Sequence, residues 1–196
     1  MKKCLRFLVV MAAIFLLQVV PVNSYAYIYG GSEYELVVQW GITWDAANTA
    51  AEASGWHLAV ITSAEENAAV YNNLVIPQGP VDSTDWISYW LGGYQNPITE
   101  TDPSKGWTWV TGEPWSYANW NAGEPNDAYG AGSEQYVEII YSNGKWNDDT
   151  SPGNPTPTWI NGYIAERSVP EPATMLLLGS GLIGLAGYGR KKFLKK

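Results

Sequence analysis

The only cysteine of this 196-residue chain is Cys4, so everything that follows it must fold without a disulfide bond. A chain of this length can bury a hydrophobic core of its own. Its eleven tryptophans supply large apolar side chains for that core. The sequence therefore predicts one domain that is stabilised by core packing, helped by a bound metal, rather than by covalent cross-links.

The first 26 residues have the pattern of a secretory signal peptide. Basic residues precede an apolar run over residues 7–20, and the small residues Ser24 and Ala26 follow. The pattern predicts export and cleavage after Ala26. An uncleaved N-terminal anchor is the alternative.

Residues 169–196 form a second processing segment. Pro170, Glu171 and Pro172 precede an apolar run over residues 173–188, which ends in a basic cluster. This order resembles the PEP-CTERM sorting signal of Gram-negative bacteria that make exopolysaccharide. The resemblance implies recognition by an exosortase, cleavage near the triplet and a transient inner-membrane anchor at 173–188. A plain C-terminal membrane anchor is the alternative, and either places the domain outside the cell, secreted or in the surface matrix.

The segment between these ends, residues 27–168, is strongly acidic. It holds three basic residues against eighteen acidic ones, a formal net charge of −15. Such a domain is not expected to bind nucleic acid or an anionic membrane surface. Six of the acids lie within residues 120–149, where Lys145 is the only basic residue.

The first half of the domain alternates strands and helices. Strands are predicted at residues 34–40 and 57–62, and helices at 43–55 and 63–74. Both helices open with a hydroxyl residue that can cap the first turn, and the second has capping-box spacing.

His57 is the only histidine. With no cysteine in the mature chain, one histidine cannot form a Ser-His or Cys-His pair elsewhere, nor a histidine-rich zinc site. A structural role at the start of a strand is predicted for it.

Short motifs in a fixed order resemble a C-type lectin-like domain over residues 27–166. They are TWDAA, GWHLAVITSAEE, YWLGGYQ, GWTWVTGEPW, EPN, GKWND and WINGYIAE. The resemblance implies an α+β fold in which two helices flank small antiparallel sheets, with a long calcium-binding loop region. The family usually has two disulfides, but Tyr136 and Ala165 stand where cysteines are expected. Tryptophans are expected to supply core area instead, among them Trp90, Trp107, Trp109, Trp120 and Trp146.

The acidic stretch contains the side-chain oxygens that calcium requires, six to eight at a time. The resemblance places the calcium ligands at five positions that all match in residue type, and the same five residues contact the sugar. They are Glu124, Asn126, Glu134, Asn147 and Asp148. Vicinal hydroxyls of a sugar can complete the coordination while they hydrogen-bond to the ligand side chains.

The EPN triplet also implies a sugar preference. The family uses a cis peptide before Pro125, which proline permits at modest cost. EPN resembles the type that prefers equatorial 3- and 4-hydroxyls, which implies mannose, glucose, fucose or N-acetylglucosamine, free or within exopolysaccharide.

A second calcium is left open by the sequence. Asp127 fits one of its ligand positions, but Gln95 stands where an acidic residue is expected, and an insertion over residues 96–106 follows.

Three functions compete for the acidic stretch. The first is calcium-dependent sugar binding. The second is adhesion or a matrix role, in which calcium only stabilises the loop. The third is glycoside hydrolysis by Glu124 and Glu134 as paired carboxylates. Because both glutamates are used as metal ligands, the sequence predicts a protein that is not an enzyme.

Overall fold

The computed structural model of the protein describes residues 24–79, 87–151 and 160–169. The triplet Pro170, Glu171 and Pro172, the apolar run 173–188 and most of the signal peptide lie outside these ranges. Signal cleavage and the membrane segment therefore stay predictions. Within the described ranges, no helix is both long enough and apolar enough to cross a membrane.

The described residues form an α+β domain with two helices, as predicted. The elements are β1 (Ser24–Tyr29), β2 (Ser32–Val38), α1 (Trp44–Ala53), β3 (His57–Leu58), α2 (Ala64–Val70), β4 (Ser88–Gln95), β5 (Trp107–Trp109), β6 (Tyr136–Ile140), β7 (Trp146–Asp149) and β8 (Ile160–Ser168). A π-helical turn at Tyr71–Val75 and a 3-10 turn at Ile76–Gln78 extend α2.

The strands join in one sheet rather than in separate small ones. Its order is β1-β2-β8-β4-β6-β7, with β3 paired to β8 and β5 to β4. Among the strands that the structure describes, all pairings are antiparallel except that of β4 with β8, which is parallel. This parallel pairing connects the β1-β2-β8 half, against which α1 packs, to the β4-β6-β7 half, which carries the acidic stretch.

Both helices begin where the sequence predicts. The Thr43 hydroxyl accepts the Ala46 N–H at 3.2 Å, and the Ser63 hydroxyl accepts the Glu66 N–H at 3.1 Å. In the capping box, the Glu66 carboxylate accepts the N–H of Thr62, at 2.6 Å, instead of the N–H of the capping residue itself. These bonds satisfy N–H groups that have no partner inside the helix.

The predicted strand over residues 57–62 is reduced to two residues. Ala59 donates its N–H to Ile164 and accepts from Gly92, each at 2.8 Å, so the chain here bonds to two strands instead of extending one ladder. His57 is half-buried, with Nδ1 2.9 Å from the Leu58 carbonyl oxygen.

Tryptophans fill the core, as predicted. Trp90, Trp109 and Trp146 are fully buried, Trp107 is nearly so, and Trp120 is half-buried. Ring centroids lie 4.5 Å apart for Trp109 and Trp115 and 5.7 Å apart for Trp109 and Trp146. Such aromatic contacts add stability beyond the buried area itself.

The two positions at which cysteines were expected are both buried in the core. The Tyr136 ring lies 4.7 Å from that of Trp44 and 6.4 Å from that of Trp90. Ala165 is buried in the same cluster, beside α1. Aromatic packing therefore occupies one of these positions, and a small side chain the other.

One glycine permits the close approach of β2 and β8. A Cβ atom on Gly162 would lie 1.9 Å from the carbonyl oxygen of Val37. We expect Gly162→Ala to lower the free energy of unfolding by about 3 kcal/mol, because the backbones must separate. Urea denaturation measures this change.

Gly41→Ala is the matched control. Gly41 has φ +69, and no atom of the described residues lies within 4 Å of a Cβ built on it, so this variant is expected to incur only the backbone cost of about 1–2 kcal/mol. Equal losses for both variants would contradict the steric explanation.

Candidate functional site

A cavity of about 310 Å³ lies where the loop before β6 meets β6 and β7. Its lining residues are Glu124, Asn126, Ala128, Tyr129, Glu134, Glu138, Asn147 and Asp149. Four of the five predicted ligands line it. The fifth, Asp148, is fully buried beside it and bonds to the loop.

The Asp148 carboxylate fastens the triplet loop to β7. It accepts the N–H of Asn126 and the N–H of Asp127, each at 3.0 Å. The Glu124–Pro125 peptide is cis, as the resemblance implies. Glu124 and Asn126 both line the cavity on this loop.

Asp127 closes the next segment of the loop. Its φ of 50 is unusual for a residue other than glycine, and its carboxylate accepts the N–H groups of Gly132, Ser133 and Glu134 at 2.8–3.1 Å. The Glu134 carboxylate accepts the N–H of Ala128 in return. The segment is thus held by its own side chains, and Asp127 as a second calcium ligand stays a prediction.

Gln95 holds the insertion that follows β4. Its side chain is fully buried, and Nε2 donates to the carbonyls of Asp102 at 3.0 Å and Lys105 at 2.8 Å. These two bonds give Gln95 a structural role at the position where an acidic ligand was expected.

Sequence reasoning missed two buried acids of the cavity, Glu138 and Asp149. Glu138 accepts from the Ser88 hydroxyl at 2.7 Å and from Asn147 Nδ2 at 3.1 Å. Its strand position lies directly opposite Asn147. A hairpin register centred on the SNG turn would have revealed this pairing.

Tyr129 is the other residue that was missed. It is 58% exposed and lines the cavity, so an aromatic face lies beside the acidic groups. An exposed tyrosine in a turn is common, and only the assembled cavity distinguishes this one.

The acids of the cavity repel one another. Burial and then the charge of Asp148 raise the pKa of Glu124 to about 7. Burial, and then the charges of Asp148, Asp149 and Glu124, raise that of Glu134 to about 8, against the N–H bond from Ala128. Burial and Asp149 also raise the pKa of Glu138. Charged carboxylates are therefore costly here in the absence of a cation.

One buried oxygen tests whether a cation fits. Within the described ranges, Glu124 Oε2 is shielded from solvent and has no hydrogen-bond partner. Among the described residues, no three Asp, Glu, His or Cys side chains form a ready metal-binding group. The carboxylates of Asp148 and Glu134 accept backbone N–H groups instead, and these hydrogen bonds account for the absence of such a group. The donor set of carboxylates and amides nevertheless matches the ligand chemistry of calcium.

The domain is thus of the α+β class, and its cis-proline loop lines an acidic cavity. The chain belongs to the C-type lectin domain family, whose model matches residues 41–154. A PEP-CTERM protein-sorting motif matches residues 168–191. Together they indicate an exported lectin-like protein of a Gram-negative bacterium, and the family is non-enzymatic.

Curated relatives are similar over part of their length. The chain is 30% identical over 125 residues to human C-type lectin domain family 4 member G. The matched region covers 64% of this chain and 36% of that protein. It is 50% identical over 52 residues to pig pulmonary surfactant-associated protein D, 26% of this chain and 14% of that protein. The chain thus spans about a third or less of these relatives.

Solved structures share the fold. The mouse scavenger receptor C-type lectin carbohydrate-recognition domain is 25% identical, with a TM-score of 0.53 over 74% of this chain and 96% of that one. The cow CD23 carbohydrate-recognition domain, determined in the presence of a GlcNAc2Man3 oligosaccharide, is 24% identical, with a TM-score of 0.54 over 74% and 95%. A calcium-independent type II antifreeze protein is 21% identical, with a TM-score of 0.53 over 73% and 91%.

The raised pKa values predict how stability depends on pH in a chelator. Glu124 and Glu134 bind protons more tightly in the folded state than an ordinary glutamate does, whose pKa is 4.5. The protonated side chains therefore contribute stability that is complete below about pH 4.5. This contribution is lost as the pH rises through about 7 for Glu124 and about 8 for Glu134. In EDTA, the melting temperature is therefore expected to fall over this range.

The double variant Glu124→Gln, Glu134→Gln provides the control, because its neutral side chains do not titrate. Its melting temperature should change less over the same pH range. A wild-type melting temperature that rises from pH 5 to pH 8 in EDTA would contradict the assigned pKa shifts.

Proposed function

We propose that this protein binds neutral sugars through a calcium ion. The ion would be held by Glu124, Asn126, Glu134, Asn147 and Asp148. The main support is that one acidic cavity gathers the side chains of four of these residues, while the fifth fastens its loop. Calcium would offset the burial and the mutual repulsion that raise the pKa values of Glu124 and Glu134.

The unpartnered oxygen of Glu124 supports the same proposal. A buried carboxylate oxygen without a donor is costly, and a divalent cation would satisfy it. Asn147 gives its Nδ2 to Glu138, which leaves the amide oxygen available as a neutral ligand. The cation would be held by carboxylates that neutralise it and by amide oxygens that complete the set.

Sugar recognition would use the same side chains. The ion would offer coordination positions to two neighbouring hydroxyls. The carboxylates accept hydrogen bonds from these hydroxyls, and the amides of Asn126 and Asn147 can donate to them. Tyr129 gives the cavity an exposed aromatic face against which the apolar side of a sugar ring can pack.

The ligand class follows from the triplet and from the charge. EPN favours sugars of the mannose, glucose, fucose and N-acetylglucosamine type. The acidic residues around the cavity disfavour anionic sugars such as uronates. A neutral sugar in exopolysaccharide or on a cell surface is the proposed partner.

Export places this site outside the cell. The sorting motif begins at Ser168, the last residue of β8, and the Val169 N–H donates to the Gly31 carbonyl at 2.8 Å. We propose that an exosortase processes the chain near Pro170, Glu171 and Pro172 while residues 173–188 lie in the inner membrane. The released domain would remain on the cell surface or in the matrix.

Calcium dependence is the first test. Binding of mannose-type monosaccharide conjugates is expected to rise with calcium. Glu134→Gln should weaken calcium binding at least about tenfold, or 1.4 kcal/mol, because a buried charged ligand is lost. A calcium titration and a glycan array measure both effects, with the exposed Glu113→Gln as the control.

The array also tests the alternative role. Suppose that mannose-type sugars fail to bind in excess calcium while the melting temperature still rises with calcium. The ion would then stabilise the loop of an adhesion or matrix protein, and the sugar proposal would be wrong.

The triplet is tested by exchange of its side chains. Glu124→Gln combined with Asn126→Asp is expected to shift preference toward galactose-type sugars, because donors and acceptors at the two hydroxyl positions are exchanged. Unchanged selectivity on the same array would exclude the triplet as the sugar contact. Calcium uptake measured in parallel shows whether the cation site survives the exchange.

A further inference from the structure

A second groove lies on different elements from the acidic cavity. Its volume is about 320 Å³, and residues of α1, β2 and β8 line it together with Trp56. Its depth comes from small side chains, Ala50 and Ala51 of α1 and Ala165 of β8. None of the five predicted cation ligands takes part in it.

Trp56 is held in place at this groove. The guanidinium of Arg167 lies 4.2 Å from the centroid of the Trp56 ring. Arg167 in turn donates Nε and Nη2 to Glu33 Oε2, at 2.9 and 2.6 Å. This surface ion pair contributes little stability by itself, but it fixes the cation against the ring. The indole is thus packed against a cation that is itself paired with Glu33.

Polar groups surround this aromatic side chain. Glu35, Gln39, Ser54 and Tyr163 also line the groove. Within the described part of the chain, the side chains of Glu35 and Gln39 make no hydrogen bond, so both are available to a ligand. An aromatic ring beside a carboxylate, an amide and hydroxyls matches the two sides of a sugar ring, which are apolar on the face and polar at the edge.

We propose that this groove is a second, cation-independent binding site for one sugar residue of a neutral polysaccharide. The sugar ring packs against Trp56, and its hydroxyls bond to Glu35, Gln39 and Tyr163. A neutral polymer is specified because Glu35 and the net charge of −15 over residues 27–168 repel polyanions. The site does not depend on the proposed calcium site.

Calorimetric titration in EDTA tests this site with the full chain, kept in a detergent without a sugar headgroup. The probes are mannohexaose, maltohexaose and cellohexaose, with a hexauronate as the charged counterpart. We expect at least one neutral hexamer to bind, and Trp56→Ala to weaken it on the order of tenfold or more, as for a buried aromatic anchor.

Two controls separate binding from folding. Trp40→Ala removes a 55% exposed tryptophan of the same region that does not line the groove, and it should leave affinity unchanged. Ala50→Leu keeps a good helix former while it fills the groove, so it should abolish binding even if Trp56→Ala fails to fold.

The outcomes distinguish the two sites. Binding in EDTA that is lost in Trp56→Ala or Ala50→Leu but kept in Glu134→Gln supports the groove. No binding of any neutral hexamer in EDTA overturns it and leaves the calcium proposal intact. Binding that persists in Ala50→Leu, or that favours the hexauronate, also overturns it.

Discussion

The buried carboxylate of Asp148 is the interaction on which the candidate site depends. A fully buried charge must be paired or well hydrogen-bonded, and Asp148 accepts two backbone N–H groups from the triplet loop. Its partners Asn126 and Asp127 belong to that loop, while Asp148 itself belongs to β7. The Asp148 side chain therefore joins the two walls of the cavity, together with the backbone bonds of Trp146 to Asn119 and Asn121, in a domain with no disulfide to do so.

The tryptophan core determines where β7 lies. Trp146, the first residue of β7, is fully buried and donates Nε1 to Asn67 of α2 at 2.8 Å. Asn67 also donates to the Gly144 carbonyl at 3.0 Å, in the turn before β7. Asn147 and Asp148 follow directly, so their positions are determined by a helix and by ring packing. Core stability and site geometry are thus coupled in this domain.

Features that depend on residues close together in the sequence could be predicted from it. The caps at Thr43 and Ser63 could be identified from spacing and residue type, and the family resemblance indicated four residues of the cavity, Glu124, Asn126, Glu134 and Asn147. Glu138 was missed, because its role depends on the hairpin register that places it opposite Asn147. The sequence also did not reveal that Asp148 and Asp127 bond to backbone N–H groups. An aspartate in this role cannot be distinguished by residue type from an aspartate that binds a cation.

The other features that the sequence did not predict depend on contacts between residues that are far apart in the chain. Trp56 and Arg167 are more than a hundred positions apart, and Arg167 meets Glu33 only because β2 pairs with β8. No periodicity in the sequence indicates this stack.

The groove and the acidic cavity lie on different strands of one sheet. The groove lies on β2 and β8, and the cavity lies on β6 and β7. A polysaccharide that engages both sites would bind the second at a high effective concentration, so two weak contacts could retain the protein in a matrix. Since only one of them would require calcium, loss of the ion would weaken retention without abolishing it.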